Sequence, residues 1–280
     1  MSVPPQVPLS PASVAEATAP AKASPWPGFG LDVLLAAILL LGISLLCSLA
    51  WGLWRGFQVG AEMARSGATA DGGTVAAQLG QPGALAQMLI ALVGTGASAV
   101  LLYFWRRRAD AAERAASFRA AGRASTWGWT VLVAAAVFAG SSLLGWLGEL
   151  LGIRPAPTNQ PLMQQALAHY PLFLVAFAVL LAPAYEELLF RRVLFGRFWA
   201  AGKPGTGMLL SGLAFAFIHE VPGSSANGPV AIAQLWLVYG GMGIAFAWLY
   251  RKTGTLWASI AAHAINNAVA LAALVLFGVQ

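Results

Sequence analysis

A chain of 280 residues that is 59% hydrophobic and 9% charged, with mean hydropathy +0.71, excludes an ordinary soluble domain, in which charged residues make up about 25%. The net charge of +6 does not point to nucleic acid, because the basic residues flank apolar runs, the pattern set by membrane topology and anionic headgroups. Cys47 is the sole cysteine, which excludes an intramolecular disulfide and a cysteine metal cluster.

Residues 1–27 hold seven prolines among Ala, Ser and Val and are expected to form a disordered tail on the cytoplasmic side. A first membrane span is expected from about Leu31 to Trp54, followed by a Gly-, Ala- and Gln-rich loop to about Gly83. A second span covers about Ala84 to Trp105 and is stopped by Arg106, Arg107 and Arg108; residues 106–123 form a basic surface segment. The third span runs from about Trp127 to Leu151, with a Gly148-x-x-x-Gly152 spacing that suggests a helix-packing face.

After a polar connection at 153–170 with one short helix, a fourth helix runs from Pro171 to about Trp199. The chain then reverses at residues 201–205. A short fifth helix (Thr206 to Glu220), a sixth (Pro229 to Tyr250) and a seventh (Leu256 to Phe277) complete an all-α, polytopic bundle of about seven spans. Residues 28–152 are read as the N-terminal spans and residues 153–280 as the catalytic core. Thirteen of the sixteen Lys and Arg residues fall on one side of this topology. By the positive-inside rule the amino terminus is cytoplasmic, in an integral protein of the cell membrane.

The fourth helix carries an anomaly, Glu186-Glu187-Leu188-Leu189-Phe190-Arg191, inside an otherwise apolar run. Charged groups at the bilayer centre cost about 2.5–3.5 kcal/mol each on insertion scales, so such residues point to function. Two of the three histidines also lie in apolar helices. Glu186 and His219 are equidistant from the Gly202–Lys203 bond, so in an antiparallel hairpin they lie at equal depth. His263 enters from the same side, about 11 Å deep, with Asn267 one turn beyond it. The three ionisable groups are therefore expected to converge. The irregular stretch 220–228 is expected to line a water-containing cavity.

These positions carry a resemblance. Glu186-Glu187-x-x-x-Arg191, Phe215-x-x-x-His219 and His263-x-x-x-Asn267 resemble, in order, the three motifs of the CPBP family of intramembrane proteases, which includes CAAX prenyl proteases and Abi-like proteins. The resemblance covers about residues 170–275. It implies an endopeptidase acting on membrane-associated peptides or proteins, with Glu186 as general base. Peptide hydrolysis also requires a held water and a stabilised oxyanion. His219 is suited to hold the water with Glu186, and His263 with Asn267 to meet the oxyanion. Glu187 is spaced to pair with Arg191 at i, i+4, as supporting residues. No cofactor is firmly implied; Glu186, His219 and His263 are also a donor set of the kind zinc accepts, and metal dependence stays open.

The same intramembrane charges also suit a transporter or proton-coupled channel, though inverted repeats are not evident. A non-catalytic scaffold or immunity protein of the same fold is a third reading. His219-Glu220 is not the start of an H-E-x-x-H zinc helix, since Gly223 occupies the second histidine position.

Overall fold

The computed structural model describes residues 24–67 and 72–278, and these contain helices but no strand. Of the expected tail at 1–27, residues 1–23 lie outside the described residues, and Trp26 and Pro27, expected within it, open the first helix. Ten helices follow in order: α1 (Trp26–Ser66), α2 (Gly72–Leu79), α3 (Ala84–Arg106), α4 (Ala111–Ala121) and α5 (Ala124–Leu150). Then come α6 (Gln160–His169), α7 (Pro171–Ala200), α8 (Pro204–His219), α9 (Pro229–Thr253) and α10 (Leu256–Phe277). Six of them (α1, α3, α5, α7, α9 and α10) are long and apolar enough to cross a membrane. The remaining expected span, the short fifth helix, is α8; it has 16 residues, about 24 Å of helix, and is shorter than the hydrocarbon core of about 30 Å.

Helix α1 differs most from expectation. It begins at Trp26, before the expected Leu31, and continues twelve residues beyond the expected end at Trp54, to Ser66. The extension contains Arg55, Glu62 and several small residues, and so reads as a loop. Yet Val59 and Met63, one turn apart, are both buried, Arg55 approaches Glu62 at 4.0 Å, and Gly67 at φ 69° closes the helix in the left-handed conformation. Packing of one apolar stripe outweighs the weak propensity of the remainder.

The Gly148-x-x-x-Gly152 spacing does not form a packing face. Gly152 lies past the end of α5 at φ 74° and makes the turn. Gly148 alone is packed: a side chain there would meet Gln234 of α9, whose amide donates to the Leu144 carbonyl.

The basic end of the bundle is tied by a carboxylate that the sequence does not advertise. Asp32 of α1 is fully buried and receives Arg106 Nε of α3 at 2.8 Å and both Nε and Nη2 of Arg197 of α7 at 2.6 Å. Phe29 and Leu35, one turn on either side, and Leu39, two turns on, pack against the central cluster of Leu102, Tyr185, Leu189, Val193 and Phe215. Asp32→Ala leaves two partly buried guanidiniums without their counter-charge. We expect it to cost about 3 kcal/mol, the low end for breaking a buried pair because both arginines keep some exposure. Thermal unfolding in detergent measures this; an unchanged midpoint removes the clasp from the account.

Candidate active site

The site is built around α7, and α7 is not a regular α-helix. Pro183 has no N–H, and its ring collides with the carbonyl four residues earlier in regular winding. The chain widens before it: Ala176–Leu181 is a π-helical turn, closed by Ala182 N–H on the Phe177 carbonyl five residues back. An α-turn, Ala182–Glu187, then carries the two carboxylates, and a second π-helical stretch covers Leu188–Phe195. Wide turns of this type recur at functional sites because they re-aim side chains without ending the helix.

The two adjacent carboxylates point into different surroundings. Glu187 is fully buried and accepts from Arg191 Nε at 2.9 Å and Nη2 at 3.0 Å, a two-point ion pair one turn along the helix. Its Oε1 also lies 3.1 Å from Nδ1 of His263. Arg191 gives Nη1 to the Ser211 hydroxyl of α8, which itself donates to the Phe190 carbonyl. Glu186 has no such satisfaction. Its Oε2 is buried without a hydrogen-bond partner and lies 3.8 Å from Nε2 of both His219 and His263.

The imidazole tautomers follow from the partners. His219 Nδ1 is 2.8 Å from the Phe215 carbonyl, which can only accept, so Nδ1 carries the proton. His263 Nδ1 faces the same Glu187 oxygen that accepts from Arg191 Nη2, so it too is the donor. Both Nε2 atoms are thereby directed at one oxygen of Glu186, at a distance that a single bridging water spans.

Aromatic rings fix the imidazole planes. The Phe215 ring lies 4.2 Å from His219 and 5.7 Å from His263, with the Arg191 guanidinium 5.0 Å above it. Tyr239 covers the other side of His219 at 4.8 Å, and Phe246 stacks on His263 at 5.2 Å. Helix α8 reaches this position because it lies nearly backbone-to-backbone on α9. A Cβ at Gly243 would stand 2.7 Å from the Gly212 Cα, and one at Gly212 would stand 2.8 Å from the Gly240 carbonyl. Asn267, one turn after His263, donates its amide to the Ala178 carbonyl of α7 at 2.8 Å. Ser211, Tyr239 and Phe246 have no motif of their own in the sequence. Only their contacts reveal them.

The chain leaves α8 through Glu220, and most of residues 221–228 face outward. The buried Glu220 carboxylate accepts from Thr158 N and Oγ1, Ser225 Oγ and Asn227 Nδ2, and its carbonyl accepts from Trp236 Nε1. Burial acts to raise its pKa, but the hydrogen bonds from Ser225, Thr158 and Asn227 outweigh it and hold the carboxyl below its ordinary value. A depressed folded-state pKa stabilises the fold above the unfolded value of about 4.3, and this contribution is lost as pH falls through the folded value. Glu220→Gln should therefore lower the unfolding midpoint at pH 7 and weaken its fall in the acid limb. Parallel midpoint-versus-pH curves for the two proteins would contradict this.

Zinc accepts donors of the Glu186, His219 and His263 types. Among the described residues, however, no three His, Cys, Asp or Glu side chains are arranged to hold a metal ion.

Comparison with known proteins bears on this carboxylate–histidine cluster within a bundle of apolar helices. Residues 168–269 match the family described as Rce1-like, type II CAAX prenyl endopeptidase Rce1-like. The chain is also similar to a Bacillus subtilis (strain 168) protein named "Putative membrane peptidase YdiL", with 26% identity over 118 residues, 42% of this chain and 43% of that protein. The chain thus spans less than half the length of this relative. No solved structure matches. Residues 168–269, which carry the three motifs, are thus similar to a family of CAAX-type membrane endopeptidases.

Proposed function

We propose that the chain is an intramembrane endopeptidase in which Glu186 and His219 activate a water and His263 with Asn267 stabilise the oxyanion. One observation carries the reading: a buried, unpartnered carboxylate oxygen faces two imidazole nitrogens at 3.8 Å each. A buried acceptor left unsatisfied is costly, and its retention fits an atom whose partner arrives with the reaction.

The steps follow from the tautomers. A water between Glu186 and His219 donates one hydrogen to each, since Oε2 and the His219 Nε2 lone pair are both acceptors. Glu186 takes the proton as the water oxygen attacks the peptide carbonyl, and later delivers it to the leaving amine. His263 gives Nδ1–H to Glu187, so its imidazolium form has an Nε2–H for the developing oxyanion. The Asn267 amide commits one N–H to Ala178 and keeps a second for the same oxygen. Glu187 and Arg191 thereby do more than balance one another: they set the orientation of the His263 ring and the nitrogen that carries its proton.

Comparing membranes from cells carrying the native protein or Glu186→Gln, by mass spectrometry, tests the function. Full-length forms of particular membrane-associated proteins should accumulate only with the variant, and identical profiles would count against proteolysis. A chelation arm addresses the metal. Hydrolysis should survive exhaustive chelation; loss restored by zinc would place Glu186, His219 and His263 around an ion instead.

A further inference from the structure

At the basic end of the bundle, a cavity of about 600 Å³ opens between the surface helix α4 and helices α7, α9 and α10. Helix α4 starts with a capping box between Asp110 and Glu113 and is held across the opening at two points. Glu113 receives both Nη1 and Nη2 of Arg192, and the Ser117 hydroxyl meets that of Thr255 at 2.8 Å. The deep walls are apolar, including Ala184 and Leu188 beside the carboxylate pair and Ile260 one turn before His263.

The mouth is strongly basic, with Arg107, Arg114 and Arg192. Of these three, only Arg192 has an ion-pair partner among the described residues, Glu113. Arg107 gives Nη2 to the Gly196 carbonyl and leaves Nε buried without an acceptor, while Arg114 gives Nη1 to the Ala109 carbonyl. Two guanidiniums thus stand without an ion pair among the described residues, beside an apolar space. Burial and the like charges of Arg192 and Arg197 lower the Arg107 pKa against the smaller opposite pull of Asp32 and Glu113. Phe118 and Trp257 at the rim are 64% and 50% exposed, as suits aromatic side chains at headgroup level.

We propose that this cavity binds one anionic phospholipid, with its phosphate on Arg107 and Arg114 and an acyl chain along Leu188, Ile260 and Trp257. Charge complementarity supplies the head contact, and an apolar channel continuous with the lipid-facing rim supplies the tail contact. A water-soluble anion would use the first and leave the second bare. The site is independent of the proteolytic reading, although its inner wall is the turn of α7 that carries Glu186.

Native mass spectrometry of the full chain in detergent, after exposure to equal amounts of phosphatidylglycerol and phosphatidylcholine, tests the assignment. One phosphatidylglycerol should be retained in preference to phosphatidylcholine. Arg107→Gln with Arg114→Gln should reduce its retention about tenfold or more, and Arg114→Gln alone, at an exposed position, about fivefold. Arg123→Gln with Arg251→Gln removes the same charge outside the cavity and should leave retention unchanged. Equal losses in the two double variants would overturn the proposal. So would displacement of the lipid by inorganic phosphate, which would reduce the site to an anion hole, or by a short peptide with a free carboxyl terminus, which would make it a peptide subsite.

Discussion

Glu186→Gln is expected to abolish hydrolysis while leaving the fold as stable as before or slightly more so. The two halves of this expectation have separate causes. Loss of a positioned general base removes a factor of about 10²–10⁴, and the amide also presents N–H donors where the water needs an acceptor. In the resting fold, though, Oε2 makes no hydrogen bond, so neutralising it breaks no contact and relieves a partly buried charge. Turnover in proteoliposomes and the thermal midpoint in detergent read the two effects separately. Retained turnover would remove Glu186 from the chemistry, and a collapsed midpoint would make its role structural.

Glu187→Gln should fail in the opposite way, with a large loss of stability. It leaves the fully buried Arg191 without its counter-charge, a change worth about 3–5 kcal/mol when one partner of a buried pair is removed. The consequence for His263 is separable. Adding Arg191→Met to Glu187→Gln replaces the whole pair by uncharged groups, which can be close to neutral for stability. The double variant should regain much of the thermal midpoint but not the activity, because His263 Nδ1 then loses the carboxylate that holds the ring in place. The deficit should appear in kcat rather than KM, since the missing interaction belongs to the transition state. A double variant with restored stability and near-native kcat would confine Glu187 and Arg191 to a packing role.

Much of the architecture is legible in the sequence because a membrane imposes simple rules. Apolar length marks the spans, and a chain with only ten acidic residues makes each one inside an apolar run informative. Equal spacing about the 202–203 turn anticipates that Glu186 and His219 meet. What stays hidden depends on contacts between distant segments. Asp32 meets Arg106 and Arg197 from 74 and 165 residues away, and nothing local distinguishes it from a charge at a helix end. The i, i+4 rule finds the Glu187–Arg191 pair but not the His263 ring that shares its carboxylate. Glu220 looks like a failed zinc motif, and only the fold shows the hydroxyls and amides that converge on it. Pro183 signals irregular winding, but the sequence does not say whether the helix kinks, stops or widens.

The central claim is that water held by Glu186 cleaves peptide bonds within this bundle. It is tested most directly by incubating the purified protein in proteoliposomes with solubilised membrane proteins in water enriched in oxygen-18. The native protein should generate new carboxyl termini carrying one heavy oxygen, and Glu186→Gln should generate none. Labelled termini appearing equally with both proteins, or with neither, would contradict the account.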